Sequence, residues 1–121
     1  MPFMGSREDA FKPAAHATAD AHRAVEQALR EQAAAMRKSA AAFRAAAQAE
    51  RDEADADPDP HRAATRRHNA ELTAAHARTL EGLADTTVSE ADTMAAHATA
   101  ADSRARDMPE FTEGGEPGDD R

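Results

Sequence analysis

Large apolar residues recur every seven positions through the first half of the chain. Leu29, Met36 and Phe43 are seven apart, and His22 continues the series toward the N-terminus. We label these positions d. The positions three residues earlier, labelled a, are almost all alanine: Ala19, Glu26, Ala33, Ala40, Ala47 and Ala54. A seven-residue period kept over this length places both sets on one helix face and is typical of a left-handed coiled coil.

The second half of the chain repeats this arrangement. Its a positions are Ala70, Ala77, Ala84, Ala91, Ala98 and Ala105, and its d positions are Thr73, Leu80, Thr87, Met94, Ala101 and Met108. Folding the chain back about residue 60 brings a positions level with d positions of the other helix. Phe43 then meets Ala77, Met36 meets Ala84 and Leu29 meets Ala91. The pattern therefore predicts an all-α fold, an antiparallel two-helix hairpin built as an alanine-rich coiled coil.

The sequence "DADPDPH" at residues 55–61 predicts the turn. Asp59 is expected to cap the second helix, with Pro60 as its first residue, and Pro13 suits the first turn of the first helix. We therefore expect a flexible N-terminal arm at 1–12, a helical hairpin at 13–108 with its turn near 57–61, and a disordered acidic tail at 109–121. The poor helix formers around Gly82 and Thr86 leave a break near 85–89 open, although the alanine column crosses that stretch in phase.

The composition gives this hairpin a thin core. Apolar residues make up 40% of the chain, but alanine supplies 34 of those 49 residues, and cysteine is absent. A hairpin with so few large apolar side chains is marginal alone, so we expect two copies to pair into a four-helix bundle. The net charge of −8 opposes binding to nucleic acid or to anionic membranes. The expected partners are a second copy or another helical protein. The absence of an apolar span and of a signal-peptide core predicts a cytoplasmic protein, with signal-independent secretion possible.

Three sets of residues are candidates for interaction. The predicted interaction seam comprises Leu29, Met36, Phe43, Ala77, Leu80, Ala84, Ala91 and Met94. The predicted flanking charge comprises Arg23, Arg30, Arg37 and Arg44, which follow the d positions. Their alkyl chains would cover the seam while their guanidinium groups pair with acidic residues, and Arg37 is expected near Glu81. The alternative is that these arginines form a basic stripe that binds an acidic partner or phosphates. His16 is likewise expected near Asp102. The predicted second contact face comprises Val25, Leu72, Leu83 and Val88, which fall outside the seam.

The six histidines raise the question of metal. His22 with Glu26, and His68 with Glu71, are spaced to share a helix face, so a His/Glu metal-binding bundle is an alternative. The Glu-x-x-His motif of bundle metal sites is absent, and the pattern favours a seam or surface role over metal binding, with His22 and Glu26 as a buried polar pair that fixes register. The chain contains no catalytic, phosphate-binding or cofactor-binding motif. The sequence therefore predicts a non-enzymatic helical interaction or assembly protein without metal or cofactor.

The two-helix layout over residues 13–108 resembles the small WXG100 or ESX-type proteins of type VII secretion. That resemblance implies a small secreted helical hairpin as an alternative function. The chain departs from the family at both of its motifs. The turn reads "DPDPH" where those proteins carry Trp-x-Gly, and the chain has no tyrosine for their tyrosine-based export signal.

Overall fold

The chain folds into two long helices. A computed structural model describes the backbone of residues 2–107 and the side chains of residues 12–107. Helix α1 spans Pro2–Ala56 and helix α2 spans Pro60–Asp107. The two helices pack against each other, and the described residues include no strand. The predicted all-α helical hairpin is confirmed at this level. Met108 and the predicted acidic tail at 109–121 lie outside the described residues.

Helix α1 begins earlier than the sequence predicts. The helical backbone starts at Pro2, so Pro13 lies inside α1 and not in its first turn. Proline lacks a backbone N–H and therefore removes one helical hydrogen bond, but its φ is close to the helical value. Helical backbone on both sides of Pro13 thus lacks that hydrogen bond and brings the proline ring against the carbonyl four residues earlier.

The turn between the helices forms at the predicted residues. The Asp59 carboxylate accepts a hydrogen bond from the backbone N–H of His61 at 3.0 Å, and the Asp59 carbonyl accepts one from Ala63 at 2.9 Å. Asp59 is therefore the N-cap of α2, and Pro60 is the first helical residue, as predicted. At the end of α1 the Asp57 N–H donates to the Ala54 carbonyl at 3.2 Å, which closes the last turn.

Helix α2 continues without a break through residues 85–89. The hydroxyl groups of Thr86 and Thr87 donate to the carbonyls of Gly82 and Leu83, four residues earlier, at 3.1 and 2.9 Å. These bonds satisfy the threonine side chains within the helix, so the hydroxyls do not draw the backbone into another conformation.

The described residues divide into two compact units, which we describe separately: the turn unit, residues 28–90, and the terminal unit, residues 2–27 with 91–107. In the turn unit α1 and α2 run antiparallel, and the buried apolar residues are all alanine: Ala33, Ala40, Ala47, Ala54, Ala63, Ala70, Ala74, Ala77 and Ala84. Ala47, Ala70 and Ala74 form one buried cluster. Every predicted a position of this unit is thus closed to solvent.

The terminal unit has the same kind of core. Its buried apolar residues among those described are Ala15, Ala19, Ala91, Ala98, Ala101 and Ala105. No large side chain within the described residues is fully enclosed. Neither helix, over those residues, contains an apolar stretch long enough to cross a bilayer.

Candidate interaction surfaces

The predicted seam residues differ in burial according to size. Ala77, Ala84 and Ala91 are fully buried. The larger members are only half-buried: Leu29, Met36, Leu80 and Met94. Small a residues let two helix backbones approach closely, and little room then remains between them for a branched or sulfur-containing side chain. The large d side chains therefore reach the flanks of the alanine layer.

Phe43 shows this most clearly, because 36% of its surface is exposed although it occupies a d position. Its ring lies against the His76 ring, with centroids 4.5 Å apart. The sequence places Phe43 level with Ala77, one residue further along α2. The phenyl ring lies at the side of the alanine layer and covers it without being enclosed by it.

Ion pairs line one side of the turn unit. Arg44 donates two hydrogen bonds to the Glu81 carboxylate, from Nε at 2.7 Å and from Nη2 at 2.5 Å. This bidentate contact holds the pKa of Glu81 below its usual value and raises the pKa of Arg44. Arg37 pairs with Asp85 at 3.0 Å. We call the side marked by Arg37, Arg44, Glu81 and Asp85 the charged face.

Glu81, the acid predicted to lie near Arg37, is paired with Arg44, one heptad later, while Arg37 is paired with Asp85. Cα–Cβ bonds lean toward the N-terminus of their own helix. In an antiparallel pair, side chains on α1 therefore lean away from the turn and those on α2 lean toward it. Each arginine on α1 lies level with some residue of α2. Because of this lean, the acid that it contacts on α2 lies further from the turn than that residue.

The terminal unit contains the partners of Arg23 and His16. Arg23 donates to Asp102 through Nη2 and to Asp20 through Nη1 at 3.4 Å. His16 Nδ1 lies 3.7 Å from an Asp102 oxygen, which confirms the predicted proximity of His16 and Asp102. Asp102 thus contacts two basic side chains of α1. Arg30, the remaining predicted arginine, is half-buried in the turn unit.

The predicted second contact face is mostly exposed. Val25 is 47% exposed, Leu72 58% and Leu83 50%, whereas Val88 is half-buried. Val88 follows Glu81 by seven residues and therefore lies on the charged face of α2. Leu72 and Leu83 are eleven residues, or three helical turns, apart and lie on the opposite side. The structure therefore does not bring Val88 onto the face that carries these two leucines.

Sequence reasoning missed the character of that opposite side. The side opposite the charged face contains fourteen positions, seven on each helix of the turn unit, which are spaced alternately by three and four residues. All fourteen are exposed. None is Asp, Glu, Lys or Arg. We call this set the uncharged face: Ala28, Gln32, Ala35, Ser39, Ala42, Ala46 and Ala49 on α1, with Thr65, Asn69, Leu72, His76, Thr79, Leu83 and Thr86 on α2. The spacing was visible in the sequence as a second stripe beside the alanine column.

A hydrogen-bonded cluster at the turn was also missed. Arg62 donates to both oxygens of Asp57, at 2.7 and 3.1 Å, and the Asp59 N–H donates to the same carboxylate at 2.9 Å. Arg66 contacts Asp57 at 3.5 Å and Glu53 at 2.5 Å. The hydrogen bonds from Arg62 and from the Asp59 backbone lower the pKa of Asp57 to about 2. An acid after the last turn of one helix and an arginine in the first turn of the next are the sequence signal for this contact.

Two of the histidines contact each other. The rings of His22 and His97 lie edge to face, with centroids 5.1 Å apart. The described residues hold no group of three or more His, Asp or Glu side chains arranged to bind a metal ion.

Open depressions flank the turn, one lined by Glu53, Asp57, Arg62 and Arg66. The charged groups that line it are already paired with one another. The turn unit thus has two long faces, one charged and one uncharged.

Comparison of the chain with protein-family models, with curated proteins and with solved structures finds no match.

Proposed function

We propose that this chain is a non-enzymatic interaction or assembly protein, which acts through the outer surfaces of an alanine-rich antiparallel coiled coil. One observation carries the proposal. The buried apolar residues among those described are all alanine, while Val25, Leu72 and Leu83 remain at the surface. Alanine thus forms the buried contact between the helices, and these three larger aliphatic side chains are available for contact with other molecules.

The energetics support this division. Burial of apolar surface contributes about 25 cal/mol per Å², and an alanine methyl group offers little area. The inner layer therefore provides a narrow contact, and further stability has to come from helix propensity or from additional packing. Exposed leucines on a rigid helix are the usual anchors by which another helix docks.

The ion pairs on the charged face also support the proposed function. Arg37 and Arg44 already engage Asp85 and Glu81, so these arginines are less available to an acidic partner or to phosphates. Fixed ion pairs beside an inner seam set the register of two helices and discourage other alignments. The charged face is therefore best suited to internal alignment, and the opposite face to association.

Site-specific photo-crosslinking in living cells tests the proposal. A photoreactive phenylalanine analogue is placed in turn at each exposed position from 34 to 49 of α1, one variant for each position. We expect covalent adducts with protein at positions that recur every three or four residues, because a docked helix covers only one face. An absence of protein adducts at every position, or adducts of equal yield around the whole helix, would contradict the proposal.

A further inference from the structure

We propose that the uncharged face of the turn unit is the docking site for a second copy of this chain, so that two hairpins form a twofold-symmetric four-helix bundle. This inference rests on the proposed function and names its partner. The inference is based on the arrangement of this face, in which a row of small residues on α1 lies beside a row on α2 that contains two exposed leucines, Leu72 and Leu83.

The absence of charge from this face is its first distinguishing property. Charged residues make up 31% of the chain, so about four of the fourteen positions would be charged at the chain-wide frequency. None is, although every one of them is exposed, and exposed positions normally carry most of a protein's charge. Each copy carries a net charge of −8. An uncharged face is where two such copies can approach without placing like charges in contact.

The three threonine hydroxyls on this face are satisfied within α2. Thr65, Thr79 and Thr86 each donate their hydroxyl to the carbonyl four residues earlier, at 3.2, 3.2 and 3.1 Å. A threonine that bonds back to its own helix needs no hydrogen-bond partner outside it. Covering these threonines therefore leaves none of their hydroxyls unsatisfied, and their methyl groups add apolar surface beside the two leucines.

The face is complementary to itself under twofold symmetry. A twofold axis parallel to the helices places α2 of one copy over α1 of the other, antiparallel and at the same height. With the turn at residue 60, Leu72 is then level with residue 48 and Leu83 with residue 37 of the facing α1. Leu72 falls between Ala46 and Ala49 of the partner subunit, and Leu83 between Ala35 and Ser39 of the partner subunit. Large side chains thus meet small ones in both halves of the interface without any sliding.

The area of the face is sufficient for a modest dimer. Residues 28–49 extend over about 31 Å of helix at 1.5 Å per residue. Two helices packed at about 8–10 Å give a face roughly 18 Å wide, which corresponds to about 550 Å² on each copy. The total, about 1,100 Å², is close to the lower limit for specific protein interfaces. We therefore expect association in the micromolar range.

Sedimentation velocity from about 1 to 300 µM tests this inference with matched variants. Ala35→Lys/Ala42→Lys changes the uncharged face, and Ala34→Lys/Ala41→Lys makes the same change on the neighbouring exposed positions toward the charged face. Both variants add two lysines to the same stretch of α1, so they alter net charge and helix propensity equally. Far-UV circular dichroism checks that the helix content stays the same.

We expect the wild-type chain to shift from 12.9 kDa to twice that mass as its concentration rises. Ala35→Lys/Ala42→Lys should raise the dimer dissociation constant at least about 30-fold, because it places cations in an apolar contact. Ala34→Lys/Ala41→Lys should stay within about threefold of the wild type. Added salt should strengthen the dimer, since it screens repulsion between acidic copies.

A further variant tests the contribution of the two exposed leucines of α2. Leu72→Ser/Leu83→Ser should abolish the dimer while the helix pair remains folded, because both leucines are exposed in the single chain. A wild-type chain that stays monomeric at 300 µM, or a dimer weakened equally by the two alanine-to-lysine variants, overturns the inference. If such a monomer still forms face-restricted adducts with a different protein in cells, the proposed function stands and only self-association is refuted.

Discussion

Replacing Ala47 by leucine tests whether the helices are in close contact through alanine. Ala47 has no exposed surface and packs with Ala70 and Ala74. Leucine adds three carbon atoms. If there were room for them, their burial would stabilise the fold by roughly 2.4 kcal/mol, at about 0.8 kcal/mol per carbon group. Without room, the helices must separate or the side chain must adopt a strained rotamer, which costs about 1–3 kcal/mol. The sign of the change therefore reports the space between the helices.

Thermal unfolding followed by circular dichroism measures this change. In a chain of this size 1 kcal/mol shifts Tm by about 4 °C, so Ala47→Leu should lower Tm by roughly 4–12 °C. Ala45→Leu is the matched control, because Ala45 is exposed two residues earlier and leucine has nearly the helix propensity of alanine. All samples are compared at one protein concentration, since association would shift Tm. A Tm for Ala47→Leu equal to or above that of Ala45→Leu would refute close packing through alanine.

Three further predictions concern the turn and helix α2. Gly82→Ala should stabilise the protein by about 1 kcal/mol in urea unfolding, because a Cβ at this position meets nothing within 4 Å and alanine is the better helix former; an unchanged or lowered stability would contradict the helical backbone there. Asp59→Ala should cost about 0.5–2 kcal/mol in the same assay through loss of the N-cap, whereas Asp59→Asn should retain most of the stability. The Asp57 carboxylate has its pKa lowered to about 2, so its stabilising contribution is complete above the unfolded value of about 3.9 and is lost as the pH falls toward 2. The difference in stability between the wild type and Asp57→Asn should therefore be constant from pH 7 to about 5 and shrink between about 4 and 2; a difference that does not change over that range would exclude the contact with Arg62.

The sequence anticipated the local structure well because that structure depends on short-range physics. The cap at Asp59 requires only a carboxylate beside the first free N–H groups of α2. The hydroxyls of Thr86 and Thr87 are likewise satisfied within four residues, which leaves the helical backbone undisturbed there. The early start of α1 shows where such reasoning failed: Pro13 suits the first turn of a helix, yet helical backbone continues before it although proline removes one backbone hydrogen bond there.

The seven-residue period by itself determined that the alanines at the a positions are buried. Every predicted a position with alanine in the described part of the chain is closed to solvent, because a heptad repeat leaves a single face for the contact between two helices. Only the tertiary structure decided how the larger side chains are arranged around that contact. It placed Phe43 against His76 at the edge of the alanine layer, paired Glu81 with Arg44, and closed the turn with Arg62 on Asp57. These outcomes depend on how closely the helices approach and on the direction in which their Cα–Cβ bonds lean. Long side chains also reach a full turn in either direction, so one heptad repeat is compatible with several different pairings.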